Sequence, residues 1–244
     1  GKTVQVSAFL AGVFAGNNNH AQALIVSPVG MIQSWKIALE NWAPSVEVLV
    51  IESSLSESQK TAKLESIKGS GGILLCTYGL VRTRVENLRT CEWTIVICDE
   101  GHELKNVSTK ISSAMRQLPV SHLKLILTGT PVQNNLMELW SLMDFVTGGT
   151  VLGSRNEFKM EFEQPIVMGS SRRATELLMR DGHRQGKALR TMIAPYFLRR
   201  VKKEIFATPR SRPAASCFDV DSLVSAVSEM SIAKSATDAS LTSK

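Results

Sequence analysis

The chain has 244 residues, of which 43% are hydrophobic and 20% are charged, and this balance is typical of a globular protein with one or two domains. Its formal net charge of +6 permits a polyanionic partner without requiring one. No two of the four cysteines form a C-x-x-C pair, which argues against a zinc or redox motif, and no apolar run reaches the ~20 residues of a membrane span.

The first three residues, Gly1, Lys2 and Thr3, match the end of a phosphate-binding loop of the type G-x-x-x-x-G-K-[ST]. In such a loop the lysine reaches the β- and γ-phosphates of a nucleotide, and the threonine hydroxyl binds Mg²⁺. Residues 4–14 have apolar side chains at helical spacing, as expected for the helix that a phosphate loop opens. Three residues alone are weak evidence, and a chance match explains them better when they are considered by themselves.

Five apolar stretches predict buried strands, and helical patterns separate them. The strands are expected at residues 23–28, 46–51, 73–78, 94–99 and 123–128. Helices are expected at residues 31–42, at about 56–68 after a capping box that begins at Ser56, and around residues 111–118. Strands that alternate with helices predict an α/β fold, with a parallel sheet covered by helices on both faces.

The apolar stretch at 94–99 ends in two carboxylates, Asp99 and Glu100, followed by Gly101 and His102. Ligands of parallel sheets bind beyond the carboxyl ends of the strands. Two unpaired charges are unfavourable in a hydrophobic core, so we expect this pair at the edge of the sheet, where a nucleotide and its metal can bind. A surface turn after a strand explains the stretch equally well when it is considered alone.

Residues 136–146 are apolar on almost every side and predict a buried helix. Residues 172–197 predict a mainly helical segment that breaks near Asp181 and Gly182 and again at Pro195. The cationic run at 199–203 fits a solvated helix end and fits a contact with DNA or another lobe equally well. Residues 207–244 are rich in Ser, Ala and Thr and predict a disordered tail.

Seven short motifs follow one another along the chain: GKTVQ at 1–5, LIVSP at 24–28 with Trp35, TY at 77–78, DEGHELKN at 99–106, LTGTPVQNN at 127–135, ELWSL at 138–142 and PYFLRR at 195–200. Their joint order and spacing resemble the first RecA-like lobe of the SWI/SNF-type family, superfamily 2 helicase-like ATPases of the P-loop type that translocate on double-stranded DNA. Gly101 and the segment at 158–165 are most similar to the Cockayne syndrome B-like and recombination-repair branches.

The resemblance implies a role for each matching residue. Gly1, Lys2, Thr3 and His102 would bind the nucleotide, and Thr3 with Asp99 would bind Mg²⁺. Catalysis would rest on Lys2, Asp99 and Glu100, with Glu100 activating the attacking water. The remaining matches would couple ATP state to DNA grip (Thr128, Gly129, Thr130 and Gln133) or contact the DNA backbone (Ser27, Pro28, Thr77 and Tyr78).

The resemblance also implies the organisation and setting of the protein. Residues 1–147 would form the RecA-like ATP-binding lobe, residues 148–206 a helical extension, and residues 207–244 the tail. The cofactors would be ATP and Mg²⁺, and the partner would be double-stranded or nucleosomal DNA. The resemblance further implies a nuclear ATPase of DNA repair or chromatin remodelling, with no membrane partner.

The chain departs from the family pattern in two places. The earlier glycines of the phosphate loop are missing, and a second RecA-like lobe is absent from this chain. That lobe would supply arginines, which contribute about 10³–10⁵ in rate in related phosphoryl-transfer enzymes. We therefore expect a fragment that is nearly inactive alone. A non-catalytic lobe that binds nucleotide, DNA or a partner protein is the alternative, and an RNA helicase is a third interpretation.

Overall fold

The computed structural model describes residues 1–15, 20–129 and 135–198. The chain divides into two compact units, Gly1–Pro131 and Val132–Lys244. The boundary that the sequence predicts after residue 147 falls inside the second unit, and the three-part division of the chain stays a prediction.

The first unit is built on a parallel sheet of five strands. These are β1 (Gln22–Ser27), β2 (Val48–Ile51), β3 (Gly72–Thr77), β4 (Trp93–Asp99) and β5 (Val120–Leu127). Their order across the sheet is β2-β3-β1-β4-β5, and every neighbouring pair is parallel. Each strand overlaps one of the five predicted apolar stretches, so the predicted α/β fold with a parallel sheet is confirmed.

Five helices accompany these strands in the described part of the first unit: α1 (Lys2–Ala15), α2 (Ile32–Trp42), α3 (Glu57–Ser70), α4 (Tyr78–Leu88) and α5 (Lys110–Arg116). The predicted capping box of α3 is confirmed, because Ser56 and Gln59 each accept a hydrogen bond from the backbone N–H of the other. The sequence does not predict α4. The Thr77 hydroxyl caps this helix by accepting a hydrogen bond from the Leu80 backbone N–H at 3.3 Å.

The core of the first unit lies on both sides of β1, which is buried along its whole length. On one face, Ile25 belongs to a cluster with Leu10 of α1 and Trp35 of α2. On the other face, Leu24 and Val26 are completely inaccessible to solvent. Full burial of such side chains contributes about 1.5–3 kcal/mol each, so the packing holds α1 and α2 firmly against the sheet.

The second unit is helical in its described residues. It contains α6 (Leu136–Thr147), α7 (Arg155–Phe158), a π-helical turn (Lys159–Glu163), α8 (Gln164–Gly169), α9 (Glu176–Ile193) and a final 3₁₀ turn (Ala194–Tyr196). The predicted buried helix is confirmed as α6, in which seven of twelve residues are buried.

Helix α9 runs without interruption through Asp181 and Gly182, so the predicted break at this point is wrong. Gly182 instead allows α8 and α9 to pack closely. A Cβ atom at Gly182 would lie 2.8 Å from the carbonyl oxygen of Pro165 and 3.1 Å from Cα of Gly169. The second predicted break is confirmed, because α9 ends two residues before Pro195.

Three predictions concern residues outside the described ranges. They are the coupling roles of Thr130 and Gln133, the cationic run at 199–203 and the tail at 207–244, and all three stay predictions. Among the residues that the structure describes, no helix has both the length and the apolar character needed to span a membrane.

Candidate active site at the carboxyl edge of the sheet

Four strands end side by side at one edge of the sheet. Ser27 of β1 pairs with Thr77 of β3, and Asp99 of β4 pairs with Leu127 of β5. The hydroxyl of Ser27 also reaches the carboxylate of Asp99. Thr128, a predicted coupling residue, follows Leu127 directly. The register therefore brings together residues that the sequence assigns to metal binding, coupling and DNA contact.

The Asp99 carboxylate is held by three donors, and Asp99 is only 5% exposed. The indole N–H of Trp35 donates to Oδ2 at 2.7 Å, and the Ser27 hydroxyl donates to the same oxygen at 3.2 Å. The backbone N–H of Glu100 donates to Oδ1 at 3.1 Å. Because a carboxylate offers about four lone-pair sites, the one that these donors leave open is on Oδ1.

Glu100 has a left-handed backbone conformation, with φ 49° and ψ 53°. Among the described residues, no other non-glycine residue has a positive φ. Such a conformation is unfavourable by about 1–3 kcal/mol and persists only where the surroundings enforce it. A strained carboxylate residue directly after a buried strand supports the interpretation of this edge as a functional site.

The 3₁₀ turn Gly101–Leu104 follows Glu100 and fixes the direction in which the chain leaves the strand. Gly101 is buried, and a Cβ atom at this position would overlap with Cγ2 of Ile126 on β5. The side chain of His102 is 53% exposed, and its Nε2 lies 3.9 Å from a carboxylate oxygen of Glu103. The turn is thus packed against the sheet through Gly101 and open to solvent at His102.

Tyr78 contacts the backbone of Asp99 rather than its carboxylate. The Tyr78 hydroxyl donates a hydrogen bond to the carbonyl oxygen of Asp99 at 2.8 Å, and Tyr78 is only 6% exposed. Burial, and then the neighbouring acidic groups of Cys98 and Asp99, raise the pKa of Tyr78 well above its usual value. The phenol therefore stays protonated and remains a donor.

Two of the predicted DNA-contact residues, Ser27 and Tyr78, direct their polar groups towards Asp99. Pro28 and Thr77 are half-buried at the same edge. The part of the site that the sequence did not reveal is the bond from Trp35, since helical spacing indicated only that Trp35 is in the core. A buried tryptophan usually needs an acceptor for its N–H, and this requirement is the signal that could have revealed the contact.

Lys2 and Thr3 lie in the first turn of α1, where Lys2 is exposed and Thr3 half-buried. Within the described ranges, no hydrogen bond or ion pair joins either residue to Asp99. The same ranges contain no group of three or more His, Cys, Asp or Glu side chains that could hold a metal. Few protein ligands suit Mg²⁺, which usually takes one or two carboxylates together with substrate phosphates and water.

Comparison with protein families gives a match to the SNF2-related domain over residues 1–215. Among curated proteins, the DNA excision repair protein ERCC-6-like of Mus musculus is 39% identical over 221 residues, which cover 88% of this chain and 18% of that protein. The Homo sapiens protein of the same name is 37% identical over 236 residues, 94% of this chain and 19% of that protein. The chain therefore spans about a fifth of the length of these relatives.

A plant protein and a solved structure are also similar to this chain. Protein CHROMATIN REMODELING 24 of Arabidopsis thaliana is 36% identical over 218 residues, which cover 84% of this chain and 20% of that protein. The structure of the Sulfolobus solfataricus SWI2/SNF2 ATPase core in complex with dsDNA superposes with a TM-score of 0.64 at 28% identity. That match covers 82% of this chain and 38% of the archaeal chain.

Proposed function

The chain belongs to the SNF2-related domain family, and from this membership we propose that it is the first motor lobe of an ATPase that double-stranded DNA stimulates. The observation that carries the proposal is the arrangement of Asp99 and Glu100 beyond β4. Asp99 is oriented by three donors and keeps one acceptor site on Oδ1, and Glu100 follows it in a strained conformation. A metal-binding carboxylate beside a water-activating carboxylate is the pairing that ATP hydrolysis requires.

In this proposal each residue of the nucleotide site has one task. Lys2 contacts the β- and γ-phosphates, and the backbone N–H groups at the start of α1 add positive potential there. The Thr3 hydroxyl and Asp99 would hold Mg²⁺, which would neutralise charge that develops on the phosphates. Glu100 orients the attacking water and accepts its proton, and His102 links the nucleotide to the neighbouring motif.

The geometry of α1 and β1 supports a common location for Lys2 and Asp99. The 14 residues of α1 span about 21 Å, and the six residues of β1 span about 20 Å. Only residues 16–21 connect them, so a helix antiparallel to the strand needs the shortest connection. That direction would put Lys2 at the carboxyl edge, and it agrees with the packing of Leu10 in the same core as Ile25 of β1.

We further propose that duplex DNA lies against the turn that follows β1 and against the first turn of α4, which follows β3 directly. Val29 is 78% exposed directly after Pro28, and Gly79 is exposed directly after Tyr78. Because the polar groups of Ser27 and Tyr78 face Asp99, main-chain groups of these turns would contact the phosphates, which gives affinity without base specificity. The archaeal ATPase core, whose structure contains dsDNA, supports duplex DNA as the ligand.

The wider setting is also a proposal. The relatives carry names of DNA excision repair and chromatin remodelling proteins, which supports a nuclear role in one of these processes. A second RecA-like lobe would complete the site with arginines, and nucleosomal DNA is a candidate substrate. Thr128 and Gly129, together with Thr130 and Gln133 outside the described ranges, would couple the state of the nucleotide to the grip on DNA.

Phosphate release by the full-length protein that contains this chain tests the proposal, measured with duplex DNA, with RNA and without nucleic acid. We expect stimulation by duplex DNA, and we expect Glu100→Gln to lower turnover by about 10²–10⁴-fold because the general base is lost. ATP binding should persist in that variant. Glu92→Gln, an exposed change next to the opposite end of β4, is the matched control and should leave turnover unchanged.

Three results would contradict the proposal. Full turnover by Glu100→Gln would remove its catalytic role. ATP binding without hydrolysis by the unaltered protein would favour the non-catalytic lobe. Stimulation by RNA that equals or exceeds stimulation by duplex DNA would favour an RNA helicase.

A further inference from the structure

Trp35 is a core residue whose polar group contacts the candidate metal ligand. It lies on the buried face of α2 and is completely inaccessible to solvent. Its indole N–H donates to Oδ2 of Asp99 at 2.7 Å, which is shorter than the 3.2 Å bond from Ser27 to the same oxygen. The strongest contact of this carboxylate therefore comes from a helix that carries none of the residues predicted to bind nucleotide or metal.

A second buried tryptophan of the same unit shows that packing alone does not demand such a contact. Trp93 at the start of β4 is also fully buried, and its indole N–H donates to the carbonyl oxygen of Leu88 at 2.9 Å. A backbone carbonyl thus satisfies one buried indole, whereas Trp35 is satisfied by a carboxylate. Hydrogen bonds to a charged group are shorter and stronger than those to a carbonyl.

The two side-chain bonds to Asp99 are unequally distributed between its oxygens. Trp35 and Ser27 both donate to Oδ2, and between them they occupy its two lone-pair sites. Oδ1 accepts only the backbone N–H of Glu100. Rotation of the carboxylate about its Cβ–Cγ bond would turn its plane and move the open lone-pair site of Oδ1, and the donors on Oδ2 oppose that rotation.

We propose that Trp35 and Ser27 are positioning residues that direct Oδ1 of Asp99 towards the Mg²⁺ that accompanies the nucleotide. This inference rests on the proposed ATPase function. Without the indole donor, Oδ2 keeps a single bond from Ser27, and the carboxylate becomes free to turn. The expected consequence is a weaker dependence of nucleotide binding on Mg²⁺, with little change in nucleotide binding when the metal is absent.

The test uses the full-length protein with three variants. Trp35→Phe removes the indole donor, Ser27→Ala removes the hydroxyl donor, and Trp93→Phe is the matched control that removes an equally buried indole from a backbone acceptor. Binding of a fluorescent ATP analogue is measured with Mg²⁺ and with a chelator, and phosphate release is measured against Mg²⁺ concentration. Thermal unfolding of every variant reports its stability.

We expect Trp35→Phe to weaken the Mg²⁺-dependent part of nucleotide affinity by about 10–100-fold, or to raise the Mg²⁺ concentration for half-maximal turnover by the same factor. This is the usual effect of losing a residue that hydrogen-bonds to a metal ligand. Ser27→Ala should act in the same direction and more weakly. Trp93→Phe should leave the Mg²⁺ dependence unchanged even where its unfolding temperature falls as far as that of Trp35→Phe.

Equal Mg²⁺ dependence in Trp35→Phe and Trp93→Phe would overturn the inference and leave Trp35 a packing residue. If Trp35→Phe does not fold, Ser27→Ala decides: an unchanged Mg²⁺ dependence in that variant rejects the positioning role. If the unaltered protein hydrolyses ATP without any response to Mg²⁺, the metal-binding role of Asp99 and the inference fail while the ATPase function stands. If the unaltered protein does not hydrolyse ATP, the proposed function itself fails, and the inference fails with it.

Discussion

The close approach of α8 and α9 yields a prediction whose sign can be calculated from the structure. In Gly182→Ala, the new Cβ would lie 2.8 Å from the Pro165 carbonyl oxygen and 3.1 Å from Cα of Gly169. Both are backbone atoms and cannot rotate away, so overpacking should reduce the free energy of unfolding by about 1–3 kcal/mol. The higher helix propensity of alanine offsets about 0.8–1 kcal/mol of this loss, so the free energy of unfolding should fall by up to about 2 kcal/mol in total.

Gly186→Ala is the matched control, because this residue lies one turn later on the same helix and has no atom within 4 Å of its added Cβ. The free energy of unfolding of Gly186→Ala should therefore rise by the helix-propensity term alone. The difference between the two variants is then the overpacking term, which corresponds to about 2–12 °C in the unfolding midpoint of a chain of this size. Thermal unfolding followed by circular dichroism measures it. If both variants raised the midpoint equally, the close helix contact would be refuted.

Three further outcomes follow from the site and its surroundings. Gly101→Ala should lower the unfolding midpoint through its overlap with Ile126, and it should lower the midpoint less when Ile126 is already alanine; an equal loss in both backgrounds would reject the steric explanation. Tyr78→Phe removes the hydrogen bond to the backbone at the end of β4 and should reduce stability by about 0.5–1.5 kcal/mol in urea unfolding, whereas Tyr196→Phe, at an exposed position, should not. Burial raises the pKa of Cys76 to about 12, so its thiol stays protonated at neutral pH and mass spectrometry should find it unalkylated by iodoacetamide until the protein unfolds.

The sequence predicts the sheet well because its central strands, β1, β3 and β4, are buried along almost their whole length. Such strands appear as unbroken apolar runs, whereas the edge strands β2 and β5 are only partly buried but still overlap apolar stretches. The start of α3 is predicted for a different reason, since the capping residues Ser56 and Gln59 act on their own local backbone. The sequence does not predict helix α4, because this helix begins directly at the strand end and only four of its eleven residues are buried. A kink at Arg84 further disturbs its helical spacing.

What the sequence cannot predict is decided by contacts between distant segments. Gly182 suggests a helix break when it is considered locally, and only the position of Gly169 on α8 explains why glycine is needed there. In the same way, Trp35 and Asp99 are 64 residues apart, and nothing in the pattern of α2 indicates where the indole N–H finds its acceptor. The order of the motifs predicts which residues form the site, whereas their hydrogen-bond partners depend on the three-dimensional packing.

The left-handed backbone of Glu100 has a consequence for the evolution and engineering of this protein. Glycine adopts this conformation without steric penalty, so Glu100→Gly should raise the free energy of unfolding by about 1 kcal/mol while it removes the carboxylate to which we assign the attacking water. Selection for stability alone would therefore drive this position towards an inert residue. A thermostabilised variant recovered from a screen that ignores turnover should carry this change among its first substitutions.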